Sequence, residues 1–258
     1  MGPVISKYVF PAPDRHYDPA AVAAAEDVVR VDVPVGAHRI LGLLTRRRPT
    51  DRRFLIYSHG NAENLALSLG AIVQVSARLH CQLFAYEYTG YGPLNRESAS
   101  EKTVYADISA VLNLVRAKSL NSGLPVVVYG RSLGSAPALY AAAEFPELVK
   151  AVVLECPFYS ILSTRLPPDL SKFVARPLDL FKNYEHARKC AAPAVVLAGG
   201  EDTVVPLENS KRLFDELATP AHLKELVVLP MATHQDVWLP PNEPRARAAV
   251  MDFLDRLV

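Results

Sequence analysis

Two kinds of apolar patterning divide the chain. Residues 28–33 alternate apolar and polar, the period of a strand with one face in solvent, and residues 39–44 form a second apolar run. Val35-Gly36-Ala37 between them reads as a hairpin turn. From Phe54 onward the pattern changes. Residues 54–57, 81–86, 124–129, 149–154, 194–197 and 225–229 are short, largely apolar runs, as strands buried on both faces require. Residues 64–79, 100–117, 132–143, 207–217 and 245–258 carry helical spacing instead. In the 100–117 segment Val104, Ile108, Val111, Leu112 and Val115 share one face.

Strands alternating with helices at this spacing predict parallel βαβ crossovers, and so an α/β fold whose mostly parallel central sheet is flanked by helices. The hairpin supplies an antiparallel edge. Residues 1–27 read as an irregular N-terminal arm with apolar anchors at Tyr8, Val9 and Phe10. Residues 28–258 read as a single α/β domain. Its one interruption, 156–190, bears prolines and no clean β period, and it reads as a short lid-like insertion.

Composition narrows the function classes. The chain has 258 residues, half of them apolar, enough for one sizeable core. Its net charge of +1 gives no global field for nucleic acid. No apolar run reaches the length of a membrane span, and the first residues lack the apolar core of a secretory signal. Cys81, Cys156 and Cys190 lie far apart, which suits free thiols in a reducing compartment, and the expectation is a cytoplasmic protein. Two features point toward peripheral membrane contact. Met1-Gly2 with Ser6 matches the N-myristoylation pattern. Arg46-Arg47-Arg48 with Arg52-Arg53 is either a solvated hairpin loop or a patch facing anionic lipid, the latter worth about 1 kcal/mol per basic residue.

The chemistry gathers on Gly130-Arg131-Ser132-Leu133-Gly134, between an apolar strand and an alanine-rich helix. Strand, sharp turn and helix are the setting of a nucleophile elbow, in which the serine is lifted off the sheet edge at a helix N-terminus. A serine hydroxyl needs a base, and the base needs a third group to hold its tautomer. In this fold the order along the chain is Ser, then acid, then His, each beyond a strand's carboxyl end. Gly199-Gly200-Glu201-Asp202 follows the strand at 194–197, and Asp202, next to the Val204-Val205-Pro206 helix start, is favoured over Glu201 as the acid. His234 follows the strand at 225–229 and is favoured as the base. His16, His38, His80, His186 and His222 fall in the arm, the hairpin, a helix end and polar segments.

Two backbone donors should receive the oxyanion. The N–H of Leu133 is one. The N–H of Asn61, in the loop Ser58-His59-Gly60-Asn61-Ala62-Glu63-Asn64, is the expected other, with Ala62 second. His59 and Asn64 read as braces of that loop rather than reacting groups. Tyr88 and Tyr91, in Glu87-Tyr88-Thr89-Gly90-Tyr91-Gly92, are candidates for the wall of an acyl site. No metal-ligand spacing, dinucleotide fingerprint or phosphate loop is present, so the expectation is no metal and no cofactor.

With these pieces in order, the chain resembles the α/β-hydrolase-domain-containing protein 17 family. The resemblance rests on Phe10-Pro11-Ala12-Pro13, on Ser58-His59-Gly60-Asn61-Ala62, and on Tyr88-Thr89-Gly90-Tyr91-Gly92 where the family has Tyr-Ser-Gly-Tyr-Gly. It extends to Glu101-Lys102 with Tyr105-Ala106-Asp107-Ile108, to Tyr129-Gly130-Arg131-Ser132-Leu133-Gly134 where the family has Tyr-Gly-Gln-Ser-Ile-Gly, and to the loops around Asp202 and Thr233-His234. Arg131 stands where the family has Gln, Glu87 where it has Asp, and no cysteine precedes Cys81 where the family has a cysteine-rich segment. The resemblance implies a serine hydrolase that removes palmitoyl groups from S-acylated cysteines, with Ser132 as nucleophile, Asp202 as acid and His234 as base. The expected partners are S-acylated proteins or small acyl esters. Alternatives are a small-ester carboxylesterase, a prolyl-type peptidase and, in another class, a catalytically silent binding module.

Overall fold

A computed structural model describes residues 17–24, 27–95, 97–165 and 179–257. The anchors Tyr8, Val9 and Phe10, the Met1–Ser6 pattern, the Phe10–Pro13 motif, His16 and the 166–178 part of the insertion lie outside these residues. The chain falls into two compact units, residues 1–127 and 128–258.

Among the described residues of the first unit, the first element is a five-residue helix, α1 (Pro19–Ala23), inside the stretch whose sequence reads as irregular. Asp18 caps it, accepting from the Ala20 N–H, and Pro19 supplies the preset φ favoured at a helix start. Strands β1 (Val28–Val35) and β2 (His38–Thr45) form the hairpin, closed at Gly36, whose φ of +57° suits glycine. Strand β3 (Arg53–Ser58) and strand β4 (Cys81–Tyr86) are buried along their whole length and pair in parallel from Arg53↔Cys81 to Tyr57↔Ala85. The order is β1-β2-β4-β3, with β2 antiparallel to β4, so the hairpin does form the antiparallel edge.

Helix α2 (Leu65–Arg78) links β3 to β4. It starts at Asn64, whose side chain accepts from the Leu67 N–H at 2.9 Å. Helix α3 (Glu101–Lys118) starts at Ser100, where Ser100 and Thr103 hold one another's backbone N–H groups; such a cap contributes about 1 kcal/mol. Its buried face carries Val104, Ile108, Val111, Leu112 and Val115, the stripe visible in the sequence.

The second unit carries strands β5 (Val126–Arg131, beginning at the unit boundary), β6 (Val149–Glu155), β7 (Ala194–Gly199) and β8 (Lys224–Leu229), in the order β5-β6-β7-β8. β6, β7 and β8 pair in parallel. Among its described residues the helices are α4 (Ser135–Glu144), α5 (Asn183–Ala187), α6 (Leu207–Glu216) and α7 (Glu243–Leu257). Parallel pairing has one consequence for function: it aligns the carboxyl ends of neighbouring strands. Gly199 pairs with Leu229 and Glu155 with Leu197, so the segments that follow β6, β7 and β8 emerge side by side. Among the described residues no helix is long and apolar enough to cross a membrane.

Candidate active site

Ser132 has a φ of +51°, in the left-handed region that a residue with a Cβ rarely adopts. The turn around it explains why it stays there. A Cβ on Gly130 would lie 2.3 Å from the Gly134 carbonyl oxygen, so the strand end and the following 3₁₀ turn (Ser132–Gly134) approach too closely for a side chain. Only then does the chain enter α4. Ser132 remains partly exposed, while Leu133 and the residues after it are buried. The serine is therefore held in a strained backbone at the open end of β5, as a nucleophile elbow requires.

Asp202 and His234 arrive from the aligned ends of β7 and β8. The His234 Nδ1 lies 2.7 Å from Asp202 Oδ2, and its Nε2 lies 2.9 Å from Ser132 Oγ. Because the carboxylate can only accept, Nδ1 carries the proton and Nε2 accepts from the serine hydroxyl. The other carboxylate oxygen, Oδ1, accepts from the N–H groups of Val204 and Val205 at 2.9 and 2.8 Å. Burial alone would raise the Asp202 pKa. The hydrogen bonds from His234 and Val205 outweigh it and hold the group below the usual aspartate range. Glu201, the rival acid, is exposed.

The loops carrying Asp202 and His234 are built against each other. The Gly200 N–H donates to the Leu229 carbonyl at 2.8 Å, and the Glu201 N–H to the Ala232 carbonyl at 2.9 Å. A Cβ on Gly199 would stand 2.5 Å from the Ala232 oxygen, and one on Gly200 2.3 Å from the Pro230 oxygen. Asp236 accepts from the Thr233 N–H at 2.7 Å and so braces the His234 loop.

Residues to which the sequence assigned no role join this site. Cys156 follows β6 with a φ of +46°, and its thiol hydrogen-bonds the Asp202 carboxylate. One ligand atom each of Cys156, Asp202 and His234 lies within 4.8 Å of the others, a set of S, O and N donors that could hold a soft cation. A cation there would have to displace the proton shared between His234 and Asp202. No motif spacing reveals this grouping, because the three residues come from three different strands. Arg131 donates to the His234 carbonyl and to Glu155, which in turn accepts from the Trp238 indole N–H. The visible sign of the loop packing was the Gly199-Gly200 doublet after a strand.

In the first unit, the loop after β3 is tied down by its own side chains. His59 Nε2 lies 3.0 Å from Glu87 Oε1, and Glu87 Oε2 accepts from the Leu65 N–H. The Tyr88 hydroxyl donates to the His59 carbonyl and the Tyr91 hydroxyl to Asn61 Oδ1. His59 and Asn64 therefore act as the braces expected. Tyr88 and Tyr91 are fully buried, and what they contact here is this loop.

Comparisons with known proteins agree with the fold. The alpha/beta hydrolase fold family matches residues 54–181. Alpha/beta hydrolase domain-containing protein 17B of Xenopus tropicalis is 30% identical over 202 residues, spanning 78% of this chain and 67% of that protein. The human 17B protein is 29% identical over the same length, and 17C of Mus musculus 29% identical over 178 residues, 69% of this chain and 54% of its own. Among solved structures, an esterase of Pyrococcus furiosus superposes with a TM-score of 0.73 at 17% identity, covering 96% of this chain and 97% of the esterase. A ferulic-acid-bound structure of Est1E from Butyrivibrio proteoclasticus gives 0.68 at 17% identity, covering 88% and 98%. The chain is thus a hydrolase of the α/β fold.

Proposed function

We propose that this chain, which belongs to the alpha/beta hydrolase domain-containing protein 17 family, is a serine hydrolase that cleaves acyl thioesters or esters through Ser132, His234 and Asp202. One observation carries the reading: an unbroken hydrogen-bond chain from a strained, partly exposed serine through His234 to a buried carboxylate. His234 takes the proton as Ser132 Oγ attacks the acyl carbon. Asp202 stabilises the resulting imidazolium and keeps its Nε2 aimed at the serine. The Leu133 N–H, at the start of the 3₁₀ turn, is the donor offered to the oxyanion; one such donor contributes about 2.7–4 kcal/mol. Collapse expels a thiol or alcohol, protonated by His234. Water, deprotonated by the same imidazole, then releases the acid and frees the serine.

The substrate we favour is a long-chain S-acyl cysteine of a membrane-associated protein, on the strength of the family resemblance. A thioester suits a site whose general acid is an imidazolium, because a thiolate leaves readily. Labelling with a fluorophosphonate tests the nucleophile: wild type should react and Ser132→Ala should not. Equal labelling of the two, or of neither, would overturn the hydrolase mechanism. Rates on acyl thioesters of rising chain length, set against short nitrophenyl esters, test the substrate. A preference for short oxygen esters would turn the reading toward a carboxylesterase.

A further inference from the structure

The residue immediately before the nucleophile is an arginine, and its side chain returns to the loop that carries the base. Arg131 Nη2 donates to the backbone carbonyl of His234 at 3.2 Å and to the Gln235 side-chain oxygen at 2.7 Å. Its Nε faces Glu155 Oε1 at 3.3 Å. Glu155 ends β6, and its side chain is 4% exposed against 12% for Arg131. The second oxygen of Glu155 accepts from the Tyr129 hydroxyl in a very short bond and from the Trp238 indole N–H at 3.1 Å; that indole also lies 2.7 Å from the Tyr129 oxygen. One buried carboxylate thus gathers the strand that leads to the nucleophile, the arginine beside it and the loop that carries the base.

We propose that Arg131 is a positioning residue, clamped by Glu155, that sets the place of His234 relative to Ser132. The argument is geometric. Ser132 and His234 meet across 102 residues of chain, and their contact depends on where the loop after β8 comes to rest. Arg131 is covalently next to Ser132 and bonded to the backbone of His234 itself, which makes it a short path between the two. A guanidinium suits the task because its planar fork serves several acceptors at once; an ammonium is a point charge, and a neutral amide leaves Glu155 buried without a cation. The side chain touches the loop backbone and its neighbours, so it acts through His234 rather than on substrate.

The inference rests on the serine-hydrolase reading, and its test keeps the two apart. Trp238 is the chain's single tryptophan, so its emission reports the brace without any turnover. Arg131→Gln should lower kcat on a short nitrophenyl ester by about 10- to 100-fold with KM within about threefold. It should also shift Trp238 emission to the red and make it more open to acrylamide. Arg131→Lys should recover part of both, since it restores the charge and not the fork. Arg131→Gln combined with Glu155→Gln should cost no more than Arg131→Gln alone, because the two act as one unit. A kcat for Arg131→Gln within twofold of wild type, with unchanged emission, overturns the proposal. Should Arg131→Gln fail to fold, wild type against Arg131→Lys decides by the same two readouts. A wild type that neither hydrolyses the ester nor reacts with a fluorophosphonate defeats the hydrolase reading, and the Trp238 emission of the variants still decides the brace.

Discussion

The Glu201 N–H donates to the Ala232 carbonyl at 2.9 Å, so the residue before Asp202 is fastened to the loop that carries His234. Gly199 and Gly200 make this approach achievable, since a Cβ on either would meet a carbonyl oxygen of that loop at 2.5 Å or less. Gly200→Ala should therefore push the His234 loop away from Asp202. Misplacement on the order of 1 Å lowers kcat by about 100-fold, and overpacking costs about 1–3 kcal/mol of stability. Steady-state rates and a denaturant melt on the purified variant measure both. A variant with the rate and stability of wild type would count against the clamp.

Asp202→Asn should separate chemistry from folding. The amide can still accept from Val204 and Val205, but it no longer fixes the proton on His234 Nδ1 or stabilises an imidazolium. The expected loss is about 10³–10⁴ in kcat with KM little changed. A companion Glu201→Gln, at an exposed carboxylate, should retain wild-type kinetics.

Asp107 predicts a pH dependence of stability. It is fully buried, and burial pushes its pKa up to about 7 although the Thr89 hydroxyl and N–H both donate to it; Glu87 adds to the rise. Between the unfolded value of about 3.9 and this folded value, the native state keeps a proton that the unfolded chain has released. Stability from this group is therefore complete below the lower value, falls as pH rises through the window, and levels off above it. Unfolding in urea at about pH 5 and about pH 8 should show wild type losing roughly 2–4 kcal/mol relative to Asp107→Asn across that range. Equal pH dependence of the two proteins would refute the assignment.

All of the chain's thiols are buried. Burial pushes Cys81 up to about 12 and Cys190 up to about 11, and Cys156 is raised well above an ordinary thiol by burial and by the carboxylates of Glu155 and Asp202. Thiolate is the reactive form, so a disulfide reagent near neutral pH should find no fast-reacting group in the native protein and three after unfolding. Rapid reaction of Cys156 in the native state would refute its burial beside Asp202.

Strands buried on both faces announce themselves as unbroken apolar runs, which is why β3, β4, β6 and β7 were legible to within a residue or two. The caps came from the structure: Asn64 and Ser100, read as the first residues of helical segments, receive the first free N–H groups. The short helices α1 and α5 were not legible, because five residues cannot display a helical period. Asp202 and His234 could be singled out as candidates from their places after late strands, since order along the chain is a property of sequence, and the structure brings both side chains to Ser132.

The sequence by itself determined the strands and the longer helices, the serine at a glycine-flanked turn, and the acid and histidine that follow it in order. Those properties arise from neighbours a few residues apart. Only the tertiary structure decided that Cys156 meets Asp202, that Arg131 reaches back to the His234 carbonyl, and that Glu155 and Trp238 stand behind both. The physical reason is parallel pairing. It brings strand ends that are far apart in sequence side by side, and side chains meet there without any spacing rule that a linear reading could detect.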